Sequence, residues 1–225
     1  MIKRLALVPA RIGSKRIKQK NIKIINKKPL IQITINKLKE VKIFDKIHIS
    51  TESLVIKKLS EKNGIKFDFL RPKNLSKDNI PISKVVKYTL KKYKKLGKTF
   101  DEVWIFYVTN PFLKKSHIKN AYKIYKRNKG KVSVMSVSNY NYPIQWALTV
   151  NKKNYLTPIN FKNSKINKNK VYCEAGMFVI YQKNFLNKNA NIKYKPYIIP
   201  IWDTIDIDTI DDFKLAKKLL KGNNK

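Results

Sequence analysis

The segment Pro9-Ala10-Arg11-Ile12-Gly13-Ser14-Lys15-Arg16, with Lys18, Lys20 and Asn21 just beyond, places five cations in ten residues around one Gly and one Ser. Backbone N–H groups, a hydroxyl and several cationic side chains in one loop neutralise more than one phosphate, which a lone helix N-terminus does not. The loop has neither the glycine spacing of a P-loop nor G-x-G-x-x-G, so ATPase and dehydrogenase readings lose their usual support. Near the other end of the chain, five of the 14 acids fall within ten residues, namely Asp203, Asp206, Asp208, Asp211 and Asp212. In an extended backbone Asp206 and Asp208 point the same way and Asp203 the other, and hard oxygen ligands so placed suit Mg²⁺. Asp211 and Asp212 read as first-turn acids of a helix with Thr209 as N-cap. A loop that grips several phosphates together with a carboxylate pair meets the requirement for moving a nucleotidyl group. A metal there would neutralise phosphate oxygens and make the attacking hydroxyl more acidic. His48 and His117 have no obvious partner and read as structural or surface residues.

The elements that must position these groups alternate. Lys3–Val8, Lys46–Ser50, Lys66–Leu70, Glu102–Tyr107 and Val132–Val137 read as strands, and Leu30–Glu40, Ser53–Asn63, Ser83–Leu96 and Ser116–Asn128 as amphipathic helices. This βαβ repetition predicts an α/β fold, a doubly wound, mainly parallel sheet with its ligands at the carboxyl ends of the strands. Residues 139–170 break the pattern and read as an excursion or arm with a strand at Trp146–Val150. Strands at Gly176–Tyr181 and Tyr197–Ile201 and a helix over Thr209–Lys221 follow. With 225 residues and no clean linker, one domain over 1–225 is expected.

Composition bounds the partners. The 51 Lys+Arg against 14 Asp+Glu leave a formal charge of +37, yet only Arg4, Arg11, Arg16, Arg71 and Arg127 are arginine, and two of these lie in the loop. Specific readers of nucleic acid lean on arginine, so no specific nucleic-acid partner is expected. Lys, Ile and Asn share A/T-only codons, and coding bias accounts for a diffuse lysine surface; a polyanion-binding surface is the alternative. Cys173 is the one cysteine, which suits a reducing compartment. Leu5 to Val8 is too short for a signal-peptide core and no apolar run reaches membrane-spanning length, so a cytoplasmic protein is expected.

The loop Pro9 to Arg16 with Lys20-Asn21, then Lys28-Pro29-Leu30-Ile31, Ile49-Ser50-Thr51-Glu52-Ser53, Phe69-Leu70-Arg71-Pro72, Leu75-Ser76-x-Asp78 and Asp206-Ile207-Asp208-Thr209, resembles in order the acylneuraminate cytidylyltransferases, which make CMP-activated nine-carbon sugar acids. Tyr107 to Phe112, Tyr142 to Leu148 and Tyr172 to Phe178 are similar to the pseudaminic acid branch. The resemblance implies a fold of the nucleotide-diphospho-sugar transferase type, a homodimer joined through the 139–170 arm, and transfer of CMP from CTP to the anomeric hydroxyl of a nonulosonic acid. It implies that Arg11, Ser14, Lys15 and Lys20, with Ala10 and Gly13 in the same loop, hold the triphosphate, with Lys15 at the α-phosphate. Arg11, Lys15 and Asp208 would be catalytic, and Asn21, Arg71 and Asp78 would form the cytidine pocket. Asp206 and Asp208 would bind Mg²⁺, and Tyr107, Gln145 and Glu174 would meet the sugar. Ile12, Ile80, Ile82, Trp146, Cys173, Glu174 and Met177 depart from the family pattern, mostly on the sugar side. Rival readings are a CMP-sialic, legionaminic or 3-deoxy-octulosonic acid synthetase, and a non-catalytic basic protein that binds polyanions.

Overall fold

The computed structural model describes residues 2–140, 142–159, 171–182, 185 and 192–222. Ten strands and five α-helices occur among them: β1 (Arg4–Pro9), β2 (Ile24–Ile25), β3 (Lys28–Pro29), α1 (Leu30–Val41), β4 (Lys46–Ser50), α2 (Leu54–Lys62), α3 (Ile82–Lys95), β5 (Glu102–Phe106), α4 (Lys115–Arg127), β6 (Ser133–Asn139), β7 (Leu148–Val150), β8 (Leu156–Pro158), β9 (Tyr172–Gln182), β10 (Tyr194–Ile198) and α5 (Ile210–Gly222). The main sheet has the order β10-β6-β9-β5-β1-β4. Within it β1 pairs parallel with β4 and β5, and β10 parallel with β6, while β9 runs antiparallel to both β5 and β6.

Alternation along the strands divides the core. Ala6, Val8, Trp104, Phe106, Phe178 and Ile180 face α1, α4 and α5 in one cluster. Leu5, Leu7, Val103, Ile105 and Val179 face α3 residues Val86 and Tyr93 in the other. Both faces of the strands are therefore covered, which is why they read as unbroken apolar runs. The expected mainly parallel, doubly wound sheet is present, and the carboxyl ends of β1, β4 and β5 lie together at one edge of it.

Three expectations are corrected. Lys66–Leu70 forms no strand: the Lys66 carbonyl accepts a hydrogen bond from the Lys46 ammonium at 2.7 Å, while Phe67 and Phe69 turn their rings toward His48. Its alternation comes from side-chain packing without ladder pairing, so β4 remains the sheet edge. The strand expected at Tyr197–Ile201 lies at Tyr194–Ile198, where Pro196 is tolerated because β10 is an edge strand. The strand expected to start at Trp146 starts at Leu148, and Trp146 belongs to a 3₁₀ turn. The excursion is otherwise present: β7 and β8 form a separate antiparallel ribbon, with Tyr142, Trp146, Leu148, Val150, Tyr155 and Leu156 exposed. Residues 160–170 of the expected arm lie outside the described residues.

His48 and His117 both have structural partners. His117 is buried beside Asp203, which also takes the Lys114 ammonium at 2.5 Å. His48 is 2% exposed, and its Nδ1 lies 3.0 Å from the Tyr93 hydroxyl, which donates to Asp68 at 2.8 Å. With the Tyr93 proton committed to Asp68, His48 Nδ1–H is the donor in its pair. Burial, opposed by Asp68 and helped by Lys46 and Arg71, brings the His48 pKa down from 6.5 to about 3. A histidine whose folded pKa is depressed stays neutral in the fold and takes a proton when the chain unfolds. Its contribution is therefore complete above the unfolded pKa and is lost as pH falls. The urea midpoint should fall between pH 6.5 and pH 4, at up to about 1.4 kcal/mol per pH unit from this group. In His48→Phe, denaturation followed by circular dichroism should show a flatter dependence over that range; an unchanged slope would remove His48 from the account.

Candidate active site

The cationic loop leaves the carboxyl end of β1 and is anchored along its length. Ala10 N–H donates to the Ser50 carbonyl at 3.0 Å, Ile12 N–H to Glu52 Oε1 at 2.9 Å, and the buried Asn21 Nδ2 to the Arg11 carbonyl at 2.8 Å. Lys20 Nζ donates to the Ile207 carbonyl and to Asp208 Oδ1, both at 2.7 Å. The loop is thereby tied to β4 on one side and to the aspartate segment on the other. Ile17, at 4% exposure, roots it in the core.

Four of the five loop cations are held by two carboxylates. Asp78 pairs with Arg11 and with Lys15, the latter at 2.9 Å, and these cations bring its pKa down, Lys15 foremost. Asp208 pairs with Arg16 at 2.9 Å and Lys20 at 2.7 Å. Burial works against the charged form of Asp208, but Lys20 and Arg16 outweigh it and its pKa is lowered. Asp206 has the opposite balance. Burial first and then repulsion from Asp208 raise its pKa, against the Thr109 hydroxyl and Lys20, and among the described residues it makes no ion pair.

These residues line two adjoining clefts. The larger, of about 580 Å³, holds Arg11, Ser14, Lys15, Lys20, Asn21, Arg71, Asp78, Tyr107 and Asp208 among its lining residues. The smaller, of about 260 Å³, is lined by Tyr107, Thr109, Glu174, Gly176 and Asp206. Tyr107 and Thr109 belong to both, and Asp206 and Asp208 flank the buried Ile207, one carboxylate to each cleft. Of the residues the sequence singles out, Ala10 is buried beneath the loop, and Gly13 lines neither cleft, with nothing within 4 Å of where its Cβ would be. Gln145 sits on the 3₁₀ turn Ile144–Trp146 and also lines neither. Glu174 does reach the smaller cleft, where burial and Asp206 raise its pKa; burial and then Glu174 and Asp206 do the same to Tyr107.

The Asp206/Asp208 pair suits a hard divalent cation. Mg²⁺ takes one or two protein carboxylates and completes its shell with water and substrate phosphates. The segment offers two carboxylates beside the cationic loop, and among the described residues Asp206 makes no ion pair.

Several contacts that support this arrangement are not visible in the sequence, although the cap formed by Thr209 and Asp212 is. Thr109 fixes the aspartate segment by accepting the Ile207 N–H at 2.9 Å. Asp212 caps α5 in a reciprocal box with Thr209 and also accepts the Asp208 N–H at 3.0 Å, so the helix cap orients the site carboxylate. Gly176 has a φ of +58°, and a Cβ there would come within 2.6 Å of Asp206 Oδ2 and 2.8 Å of its Cγ. A glycine inside a strand was the available signal.

Gly176→Ala should therefore cost about 2–4 kcal/mol, from the left-handed backbone and the clash together. Adding Asp206→Ala should restore part of that loss, because the two closest contacts disappear. Urea unfolding of the two single variants and the double variant reads the coupling, and strictly additive losses would show that Gly176 does not make room for Asp206.

A cytidylyltransferase family model matches residues 5–219. The chain is 33% identical over 231 residues to the pseudaminic acid cytidylyltransferase of Campylobacter jejuni, covering 99% of this chain and 98% of that protein. It is 31% identical to the CMP-N,N'-diacetyllegionaminic acid synthase of Legionella pneumophila, covering 97% of each. In structure it resembles a CMP:2-keto-3-deoxy-manno-octonic acid synthetase complexed with CTP, with a TM-score of 0.73 at 15% identity over 98% of this chain and 99% of that one. A cationic loop at the end of β1, Asp208 paired with two of its cations, and a family match over nearly the whole length place this chain in the cytidylyltransferase family.

Proposed function

We propose that this chain transfers CMP from CTP to the anomeric hydroxyl of a nonulosonic acid, pseudaminic acid being the substrate that its relatives best support. The observation carrying this reading is the junction of the two clefts at Asp206 and Asp208. The larger cleft, walled by cations, suits the nucleotide; the smaller, next to Tyr107 and Glu174, suits a polyhydroxylated sugar. The two carboxylates lie where the partners would meet.

In this reading the anomeric oxygen bonds to the α-phosphorus, the bond from that phosphorus to the bridging oxygen breaks, pyrophosphate leaves, and the hydroxyl proton passes to water. Arg11, Ser14 and Lys15 hold the phosphates, and Lys15 neutralises charge that builds at the α-phosphate during in-line displacement. Lys20 acts from below, since its ammonium already sits on Asp208 and sets that carboxylate. Asn21 fixes the loop through the Arg11 carbonyl, and Arg71 and Asp78 border the region assigned to cytidine, Asp78 also steadying Arg11 and Lys15. Asp206 and Asp208 would hold Mg²⁺, which when bound neutralises phosphate oxygens and acidifies the attacking hydroxyl. Gln145, on the excursion, would reach a sugar only if the exposed face of Tyr142, Trp146 and Leu148 packs against a second copy, the homodimer we propose. No helix among the described residues is long and apolar enough to cross a membrane. An enzyme that consumes CTP works where CTP is made, so we place it in the cytoplasm.

Incubation with CTP, Mg²⁺ and a panel of pseudaminic, legionaminic, sialic and 3-deoxy-octulosonic acids, followed by pyrophosphate release, tests the reading. Release should be fastest with pseudaminic acid; a preference for another acid reassigns the sugar, and no release with any acid removes the function. Asp208→Ala should lose at least about 10²-fold in kcat. Lys15→Ala should lower kcat about 10²-fold with little change in the KM for the sugar acid, since its role is at the transition state.

A further inference from the structure

Behind the larger cleft lies a closed circuit of polar contacts. Glu52 follows the carboxyl end of β4 with its side chain only 12% exposed, and it is not among the residues that line the cleft. Its Oε1 accepts the Ile12 N–H at 2.9 Å, and its Oε2 accepts from Arg71 Nη2 at 3.3 Å. Arg71, with its side chain 5% exposed, donates from Nε to Ser76 Oγ at 3.0 Å and from its backbone N–H to the Thr51 carbonyl at 2.8 Å. The Ser76 carbonyl accepts from Arg11 Nη1 at 3.3 Å, and Arg11 is bonded through the chain to Ile12, which closes the ring. Three segments distant in sequence, the phosphate loop, the end of β4 and residues 71–76, are thus fixed to one another through a single carboxylate.

A buried guanidinium keeps one orientation only if its charge and its donors are met. Glu52 meets the charge from one side and Ser76 takes Nε from the other, so the guanidinium that lines the cleft is set before any ligand arrives. The same carboxylate holds the Ile12 amide, and Ile12 packs its side chain against the core. A bulky residue in the phosphate loop is compatible with a fixed loop because its backbone is pinned from below.

We propose that Glu52 is a positioning residue for the nucleotide, which holds Arg71 and the Arg11–Ile12 turn in the register that receives CTP without itself touching the ligand. The proposal rests on the assignment of the larger cleft to CTP. Two readouts keep the two ideas separable. The first is steady-state kinetics of Glu52→Gln, which keeps the shape of the side chain and removes its charge. KM for CTP should rise about tenfold while KM for the sugar acid stays within about twofold, and Glu52→Asp should recover part of the loss. In Arg71→Gln the further change Glu52→Gln should add little, because the two act as one unit. Equal rises in both KM values, or an unchanged KM for CTP, would overturn the proposal. The second readout needs no nucleotide: amide hydrogen exchange of the peptide spanning residues 11–20 should accelerate in Glu52→Gln at the same temperature and pH. Unchanged exchange would overturn the tether even if the enzyme turned over no CTP. Should Glu52→Gln fail to fold, Ser76→Ala removes the opposing hydrogen bond from Arg71. It should raise KM for CTP selectively by about threefold, and no change there would overturn the proposal equally.

Discussion

Five cations within ten residues repel one another, and the arrangement around the cationic loop is largely the means of holding them together. In water each pair costs little, but beside a protein wall the same repulsion grows several-fold. The chain meets it with acids taken from far along the sequence: Asp78 bridges Arg11 and Lys15, and Asp208 bridges Arg16 and Lys20. Because each carboxylate serves two cations, the loop keeps an excess of positive charge, which the proposed triphosphate ligand would need. Lys20, with a side chain only 14% exposed, is the most committed of them, and its contacts with the Ile207 carbonyl and Asp208 fix loop and carboxylate pair as one body.

The second cleft comes from an irregularity in the sheet. Along β6 the pairing advances from Met135 to Val137, while along β9 it advances from Val179 to Glu174, so β9 gains residues and bends out around Gly176. Ser136 bridges the gap: its hydroxyl accepts the Phe178 N–H at 3.0 Å and donates to the Phe178 carbonyl at 2.8 Å. The bend brings Glu174 to Tyr107 and leaves Asp206 the space that a side chain at 176 would fill. Asn110, fully buried, ties the turn after β5 to this bend through the Ala175 carbonyl at 3.1 Å. One antiparallel strand in a parallel sheet therefore shapes the side of the site where this chain departs most from its family pattern.

The order of parallel strands and crossover helices was legible because strands buried on both faces leave continuous apolar runs, and the cap at Thr209 sits where the last helix begins. The cationic loop and the aspartate pair were legible because unlike residues cluster there against a uniform background. Lys66–Leu70 misled because a segment that packs its aromatics on a neighbour alternates as a strand does. Gly176 stood in plain view, but its partner Asp206 lies 30 residues on, and no local pattern connects them. Glu52 was equally hidden: it is a single acid after a strand, and the amide it holds is 40 residues earlier. Tertiary pairing of this kind leaves no periodicity to read.

The charge of +37 takes on a different meaning beside this geometry. Arg11, Lys15, Arg16 and Lys20 are each matched to a carboxylate. Most lysines on α3 and α4, such as Lys84, Lys87, Lys91, Lys119 and Lys123, are unaccompanied by acids in their own helices and have solvated faces. A diffuse field of that sign does not choose a ligand, but it raises the local concentration of anions and speeds their encounter at low salt. Both substrates of the proposed reaction are anions, a nucleoside triphosphate and a sugar carboxylate. In that reaction selection among anions would fall to the few cations whose positions are fixed by Asp78, Asp208 and Glu52. In the proposed reaction the lysines that dominate the composition would govern how often an anion arrives, and the acids that are scarce in it would determine which anion fits.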